Sequence, residues 1–506
     1  MHGEIEKRMK KGIYNIFFGI VSQIITVIMG LILPQMIVEQ YGSGVNGLLS
    51  SVSQIFVYLA LFEAGVGTAT MQALYKPIAE EDGDGINRIL SATHSYFKKT
   101  GIIYGAVLAA SAIIYPLFVE KTLPYSSIAL IIIFAGAGSI LNYFFYGKYR
   151  ILLEASGYSY FVNGIVTMSY LIVNIIKIVL ISSGSSILNV QFMQFLFYGL
   201  QMIGICIFTK KKYRWINVHE EGDFEAISQK SSVLVHQISS LVFSNTDILI
   251  LTFFCGFEIV SVYTMYNYLF STVMTLILTV VASIIYVLGK TFFENREKYL
   301  VYHDMFELLY LTIGSIIFSV LYVCAIPFMR LYTEGFTDAN YIDYKLPILF
   351  FTMQLLNILR GPCNNLINIA GHFLKTQNRA IIEMAINIVV SLVGVKWLGI
   401  YGVLIGTISA LLYRTNDIII YANRKILNRS IWGTYKRCLI NVGCSILVIV
   451  LYWGKNYTSD SYIQLVGFAI IHGTIIASGF LTANIILDFK SVKAFLKLTL
   501  KKENRK

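Results

Sequence analysis

Five polar side chains recur along one apolar stretch of this sequence: Gln354, Asn357, Arg360, Asn364 and Asn368, at spacings of 3, 3, 4 and 4. At about 100° per residue they fall within roughly a third of a helix circumference. Lipid cannot satisfy a polar stripe, so the stripe must face a partner or a water-filled cavity. Two readings fit: cavity lining, or hydrogen bonding between helices. Gly361-Pro362 directly follows Arg360 and could kink the helix there. Arg414 and Asp417 lie three residues apart in another apolar stretch, close enough to pair locally. That pair is either part of a site or a self-neutralised unit. Lys177 lies within snorkelling range of a helix end. Asp247 shares one helix face with His236 and Ser240. A Lys177–Asp247 bridge would make a gate; Glu63 and Glu383 are further candidates, and Glu383 can also be read as an interfacial residue.

These residues need helices to hold them, and the composition says which kind. The chain has 506 residues, 56% of them hydrophobic and 13% charged, with a mean hydropathy of +0.67. A soluble domain carries roughly 25% charged residues, so half that fraction points to membrane burial. With about 20 apolar residues needed per crossing, the spans read as 13–38, 45–74, 96–119, 124–147, 158–182, 187–209, 231–255, 258–288, 303–330, 344–368, 378–397, 400–423, 435–453 and 462–488. The first is too long for a signal-peptide core and lacks a cleavage site. With the N-terminus in the cytoplasm, about 32 of the 40 Lys and Arg fall on the cytoplasmic side. That is the positive-inside asymmetry, with both termini inside. The net charge of +12 then reflects orientation against an anionic leaflet, with no nucleic-acid partner.

The expected fold is an all-α polytopic membrane protein of about fourteen spans. It divides into a six-helix bundle (1–209), a solvated cytoplasmic linker (210–230), a second six-helix bundle (231–430), and two further spans with a basic tail (431–506). Ala155-Ser156-Gly157-Tyr158 and Ala370-Gly371-His372 precede corresponding spans, as do Tyr41-Gly42 and Cys255-Gly256, so the bundles read as repeats.

Enzymatic signatures are missing. Gly289-Lys290-Thr291 ends like a phosphate-binding loop, but Ile284 stands where the loop needs glycine. No H-E-x-x-H or G-x-S-x-G occurs. The six cysteines form no C-x-x-C and suggest neither a disulfide framework nor a metal site. The longest outer connection, 331–344, with Glu334, Asp338 and Asp343, is the one place for a catalytic role.

Several segments resemble the polysaccharide-transporter branch of the multidrug/oligosaccharidyl-lipid/polysaccharide exporter superfamily. They are Phe62-Glu63-Ala64-Gly65-Val66-Gly67-Thr68-Ala69, Tyr149-Arg150-Ile151-Leu152-Leu153-Glu154-Ala155, Thr246-Asp247-Ile248-Leu249-Ile250, Ala370-Gly371, and 398–407 from Leu398-Gly399 to Gly406-Thr407. The resemblance implies two bundles, a cationic cavity and alternating access. It implies a flippase for an undecaprenyl-diphosphate-linked oligosaccharide in the bacterial inner membrane, working as a monomer without cofactor among membrane lipids, with the coupling ion, proton or sodium, left open. Gln354, Asn357, Arg360, Asn364 and Arg414 would then contact the substrate, and Glu63, Lys177, Asp247, Glu383 and Asp417 would gate or couple. The first span carries no charge, unlike the lipid II flippases of this superfamily, and lacks the acidic residue of many drug antiporters. The rival readings are a cation-coupled drug antiporter of the same superfamily and a glycan polymerase or ligase.

Overall fold

The computed structural model describes residues 2–60, 66–119, 122–227, 231–455, 457–489 and 493. Every regular element among them is helical. In chain order these are α1 (His2–Tyr41), α2 (Ser43–Leu59), α3 (Val66–Ala79), α4 (Gly83–Phe118), α5 (Tyr125–Leu141), a π-helical turn (Asn142–Tyr146), α6 (Gly147–Ala155), α7 (Ser159–Ser182) and α8 (Ile187–Lys212). Then follow α9 (Ser231–Cys255), α10 (Phe257–Glu294), α11 (Arg296–Tyr332), α12 (Leu346–Ile369), α13 (Phe373–Leu398), α14 (Ile400–Tyr421), a second π-helical turn (Ala422–Leu427), α15 (Trp432–Tyr452) and α16 (Tyr462–Leu487). Asp82, Ser186, Asn295 and Ser461 cap α4, α8, α11 and α16, each accepting a bond from the backbone N–H three residues on.

Thirteen helical stretches among the described residues are long and apolar enough to cross a bilayer. Of the remaining expected span, 45–74, the described residues form α2 and α3, and 61–65 lie outside the described residues. The chain is an all-α polytopic membrane protein.

The chain packs as two compact units, 1–261 and 262–506. This boundary falls within the second turn of α10. In the first unit α1 packs on α7, α4 on α5, α5 on α8, and α2 on α9. In the second, α11 packs on α12, α15 and α16, and α14 packs on α12 and α13. The α13–α14 contact is backbone to backbone: a Cβ on Gly402 would stand 2.1 Å from Gly394, and one on Gly406 would stand 2.1 Å from the Ser391 hydroxyl. Small residues let two membrane helices approach that closely.

The connection after α8 differs from the solvated linker expected. Asn217 donates its N–H to Asn87 Oδ1 (3.0 Å), and Asn87 Nδ2 donates to Glu220 Oε1 (2.9 Å). Ser91 donates to the Glu220 carbonyl, Gly222 lies against Ala92, and Ile227 is buried. The segment is laid along the first turns of α4 because Asn87 and Ser91 offer it bonds one turn apart.

The expected internal repeat has a backbone counterpart. At Gly157 (φ +78) and Gly371 (φ +67) the chain leaves a helix through the same three bonds, from positions 156, 157 and 158 in one case and 370, 371 and 372 in the other. This is a left-handed C-terminal cap, which glycine adopts without Cβ strain. These glycines lie 214 positions apart, as do Gly42 (φ +89) and Gly256 (φ +85); Gly184 and Gly399 lie 215 apart.

Candidate functional site

Three helices of the second unit bring charge together inside the apolar spans. Arg379 and Glu383 stand one turn apart on α13, and Arg414 and Asp417 stand one turn apart on α14. Arg360, on α12, donates from Nη1 to Glu383 Oε1 at 2.6 Å. The other Glu383 oxygen meets Arg414 Nε at 3.3 Å. Arg414 Nη1 reaches Asp417 Oδ2 at 2.7 Å, and Arg379 Nη1 reaches Asp417 Oδ1 at 2.5 Å. The result is one chain, Arg360–Glu383–Arg414–Asp417–Arg379, with three cations and two anions, hence a formal charge of +1. Exposure rises along it from the middle outward: the Arg414 side chain is 6% exposed, Arg360 21% and Arg379 36%.

Four members of this chain, Arg360, Glu383, Arg414 and Asp417, are residues that the sequence singled out, and the expected Arg414–Asp417 pairing is present. Arg379 was missed because it reads as an ordinary basic residue near the start of its span; its spacing of four from Glu383 was the available signal. The polar stripe on α12 is partly internal, with Asn357 donating to Gln354 at 3.2 Å. Gln354 is buried, Asn364 is half-buried and Asn368 exposed. Helix α12 runs through Gly361-Pro362 as a single helix. Beyond Arg379 the polar path continues: its guanidinium lies 4.8 Å from the Tyr421 ring, and the Tyr421 hydroxyl meets His372 Nδ1 at 3.1 Å. His372 lies in the turn between α12 and α13. Burial, and then the Lys375 ammonium, hold its imidazole below the ordinary range.

The Lys177–Asp247 bridge is corrected by the structure. Lys177 donates to Gln194 Oε1 at 2.9 Å, a partner on the neighbouring α8. Asp247 is buried at 4% exposure on α9, next to Thr246, whose hydroxyl lies 2.7 Å from Tyr58 of α2. The contact between α2 and α9 is extensive. Ser51 takes bonds from Tyr115 and Thr252, each at 2.7 Å, and Asn46 donates to Ser261 at 2.8 Å. A Cβ on Gly47 would stand 1.8 Å from the Phe257 carbonyl oxygen. Glu63 lies outside the described residues, and so does the side chain of His236.

A second charged cluster was not foreseen. Arg429 reaches Asp304 at 2.5 Å and Glu307 at 3.2 Å. Arg437 of α15 reaches Asp304 (3.1 Å), Glu307 (3.3 Å) and Asp488 (2.9 Å). Asn423, in the π-helical turn, accepts from Arg429 Nε at 2.7 Å and orients it. The cluster joins α11 to α15 and to the end of α16. His303, Asp304 and Glu307 have the spacing of a metal-ligand set, but both carboxylates already hold guanidinium groups, so the cluster reads as a structural tie.

The sequence matches no protein-family profile and no curated protein. Among solved structures, the lipid II flippase MurJ in an inward closed conformation is similar at 15% identity and TM-score 0.62, over 94% of this chain and 100% of that one. An inward-facing multidrug resistance MATE family transporter of the MOP superfamily is similar at 14% identity and TM-score 0.62, over 81% of this chain and 96% of that one. An outward-facing MATE structure matches at TM-score 0.54. At such identities the likeness is one of fold: the chain shares the helical architecture of these solved structures.

Proposed function

We propose that this protein is a flippase. It carries an undecaprenyl-diphosphate-linked oligosaccharide from the cytoplasmic to the outer leaflet of a bacterial inner membrane, by alternating access, for surface polysaccharide synthesis. The observation that carries the reading is the α12–α14 charge chain itself, three arginines on two carboxylates inside the spans, where charge is costly. A guanidinium matches the geometry of a diphosphate, and a charge-assisted bond there holds an anionic head group. Arg360, Arg414, Gln354, Asn357 and Asn364 contact the substrate. Glu383 and Asp417 hold the arginines in place and, with a proton or sodium ion, couple transport. Both termini lie in the cytoplasm, and the monomer is the working unit.

A drug antiporter coupled to a cation is the second reading, favoured by the equal fold likeness to a MATE transporter. Against it stands Arg360, an arginine inside the span formed by α12. The test is deletion of the protein followed by analysis of lipid-linked glycans. Accumulation of one such glycan on the cytoplasmic leaflet is expected. Unchanged glycans with increased sensitivity to cationic drugs would overturn the reading in favour of the antiporter.

A further inference from the structure

Residues 276–288 of α10 and 301–317 of α11 line a cleft of about 640 Å³, within the roughly 300–1,000 Å³ of ligand sites. Its walls are aliphatic: Leu276, Val280, Ile284 and Val287 on one side, Leu309 and Ile313 on the other. All six are more than 40% exposed, so the cleft opens sideways, along segments that belong to or adjoin membrane spans.

Aromatic rings of α11, Tyr302, Phe306 and Tyr310, also line it. The Tyr310 ring covers Gly361 of α12 so closely that a Cβ there would stand 2.4 Å from Cε1 and 2.7 Å from the hydroxyl. Only glycine at 361 admits the ring. The Tyr310 side chain is 6% exposed, and its hydroxyl has no hydrogen-bond partner. A buried hydroxyl left unpaired is destabilising, and one beside an arginine is a ready donor to an anion. Arg360, at one end of the charge chain, is the residue before Gly361. Tyr310 therefore stands as the partition between an apolar cleft and an arginine of a chain with excess positive charge.

We infer that the cleft between α10 and α11 seats the hydrocarbon chain of an anionic lipid, whose phosphate takes the Tyr310 hydroxyl and the Arg360 guanidinium once the ring swings aside. The inference rests on the flippase reading and names the source: the polyprenyl chain of the carried lipid, and not bulk phospholipid. Apolar walls alone would accept either; the excess charge at the closed end selects the more anionic one.

The protein in phosphatidylcholine vesicles would be exposed to three diazirine-bearing probes: a polyprenyl diphosphate, the uncharged polyprenol, and phosphatidylcholine. The diphosphate should label 276–288 and 301–317 about tenfold more than either other probe, and Arg360→Gln should remove that preference. Val280→Trp and Ile284→Trp, on exposed positions where folding is insensitive, should block the cleft and abolish the labelling. Equal labelling by phosphatidylcholine would mean that bulk lipid fills the cleft. Equal labelling by the polyprenol would remove the phosphate from Arg360. Either result overturns the inference. Glycan export with labelling only elsewhere overturns the cleft and leaves the flippase reading; labelling in the cleft without glycan accumulation in the deletion strain does the reverse.

Discussion

Glu383 is the one carboxylate that two arginines share, and that makes Glu383→Gln and Arg360→Gln an informative pair. Glu383→Gln removes the acceptor of Arg360 at 2.6 Å and of Arg414 at 3.3 Å, while Arg414 keeps Asp417 at 2.7 Å. The formal charge of the chain rises from +1 to +2 among side chains that are 6–21% exposed. Breaking a buried pair costs about 3–5 kcal/mol, and the surviving Asp417 contact places this case at about 3. Arg360→Gln leaves Glu383 still paired with Arg414 and the chain neutral, so the loss is about 1–2 kcal/mol. The difference is on the order of 10-fold in the folded-to-unfolded ratio. The assay is the fraction of purified protein that stays monodisperse after heating in detergent, alongside glycan export in cells. Glu383→Gln should be the less stable protein. Arg360→Ala should remain abundant and fail to export, and Arg360→Lys should keep part of the activity because charge survives while the fork is lost. Arg360→Gln as unstable as Glu383→Gln, or an abundant and fully active Arg360→Ala, would refute the division of roles.

Arg437→Leu leaves Asp304 and Glu307 sharing Arg429 and takes the Arg437 partner from Asp488, and should cost about 3–5 kcal/mol, read as a fall in the amount of protein in the membrane; normal amounts would show that the tie is dispensable. Gly47→Val sets a side chain where the Phe257 carbonyl stands, so a disulfide between Asn46→Cys and Ser261→Cys should form in the parent and be lost in the variant; retained cross-linking would mean that the contact yields. Reporters fused at Gly222 and at the C-terminus should report cytoplasm and one at Thr337 the exterior, and an exterior Gly222 would sink the orientation.

The spans were legible because apolar length is a local property, and thirteen of them can be recovered without any partner. The charge chain was read in part. Arg360, Arg414, Asp417 and Glu383 announce themselves by standing in apolar runs, but their mutual pairing joins positions 23 and 38 apart and is decided by how α12, α13 and α14 pack. Asp304, Glu307 and Arg437 were lost at span ends, where a charge looks solvated. Lys177 and Asp247 were matched by sign alone, and an amide one helix away satisfied the ammonium first.

The matching turns at Gly157 and Gly371 bear on how the two halves are built: the same left-handed cap recurs 214 positions apart, so the halves turn matching corners. With that offset, the positions matching Arg360, Arg379 and Glu383 are Tyr146, Ile165 and Ser169, and with 215 those matching Arg414 and Asp417 are Gly199 and Met202. None of the five is charged. The two halves share corners and differ in chemistry: the ionic chain lies in the later half alone at these positions. A protein rebuilt from two copies of the first half would keep the scaffold and have nothing in those positions to hold an anion.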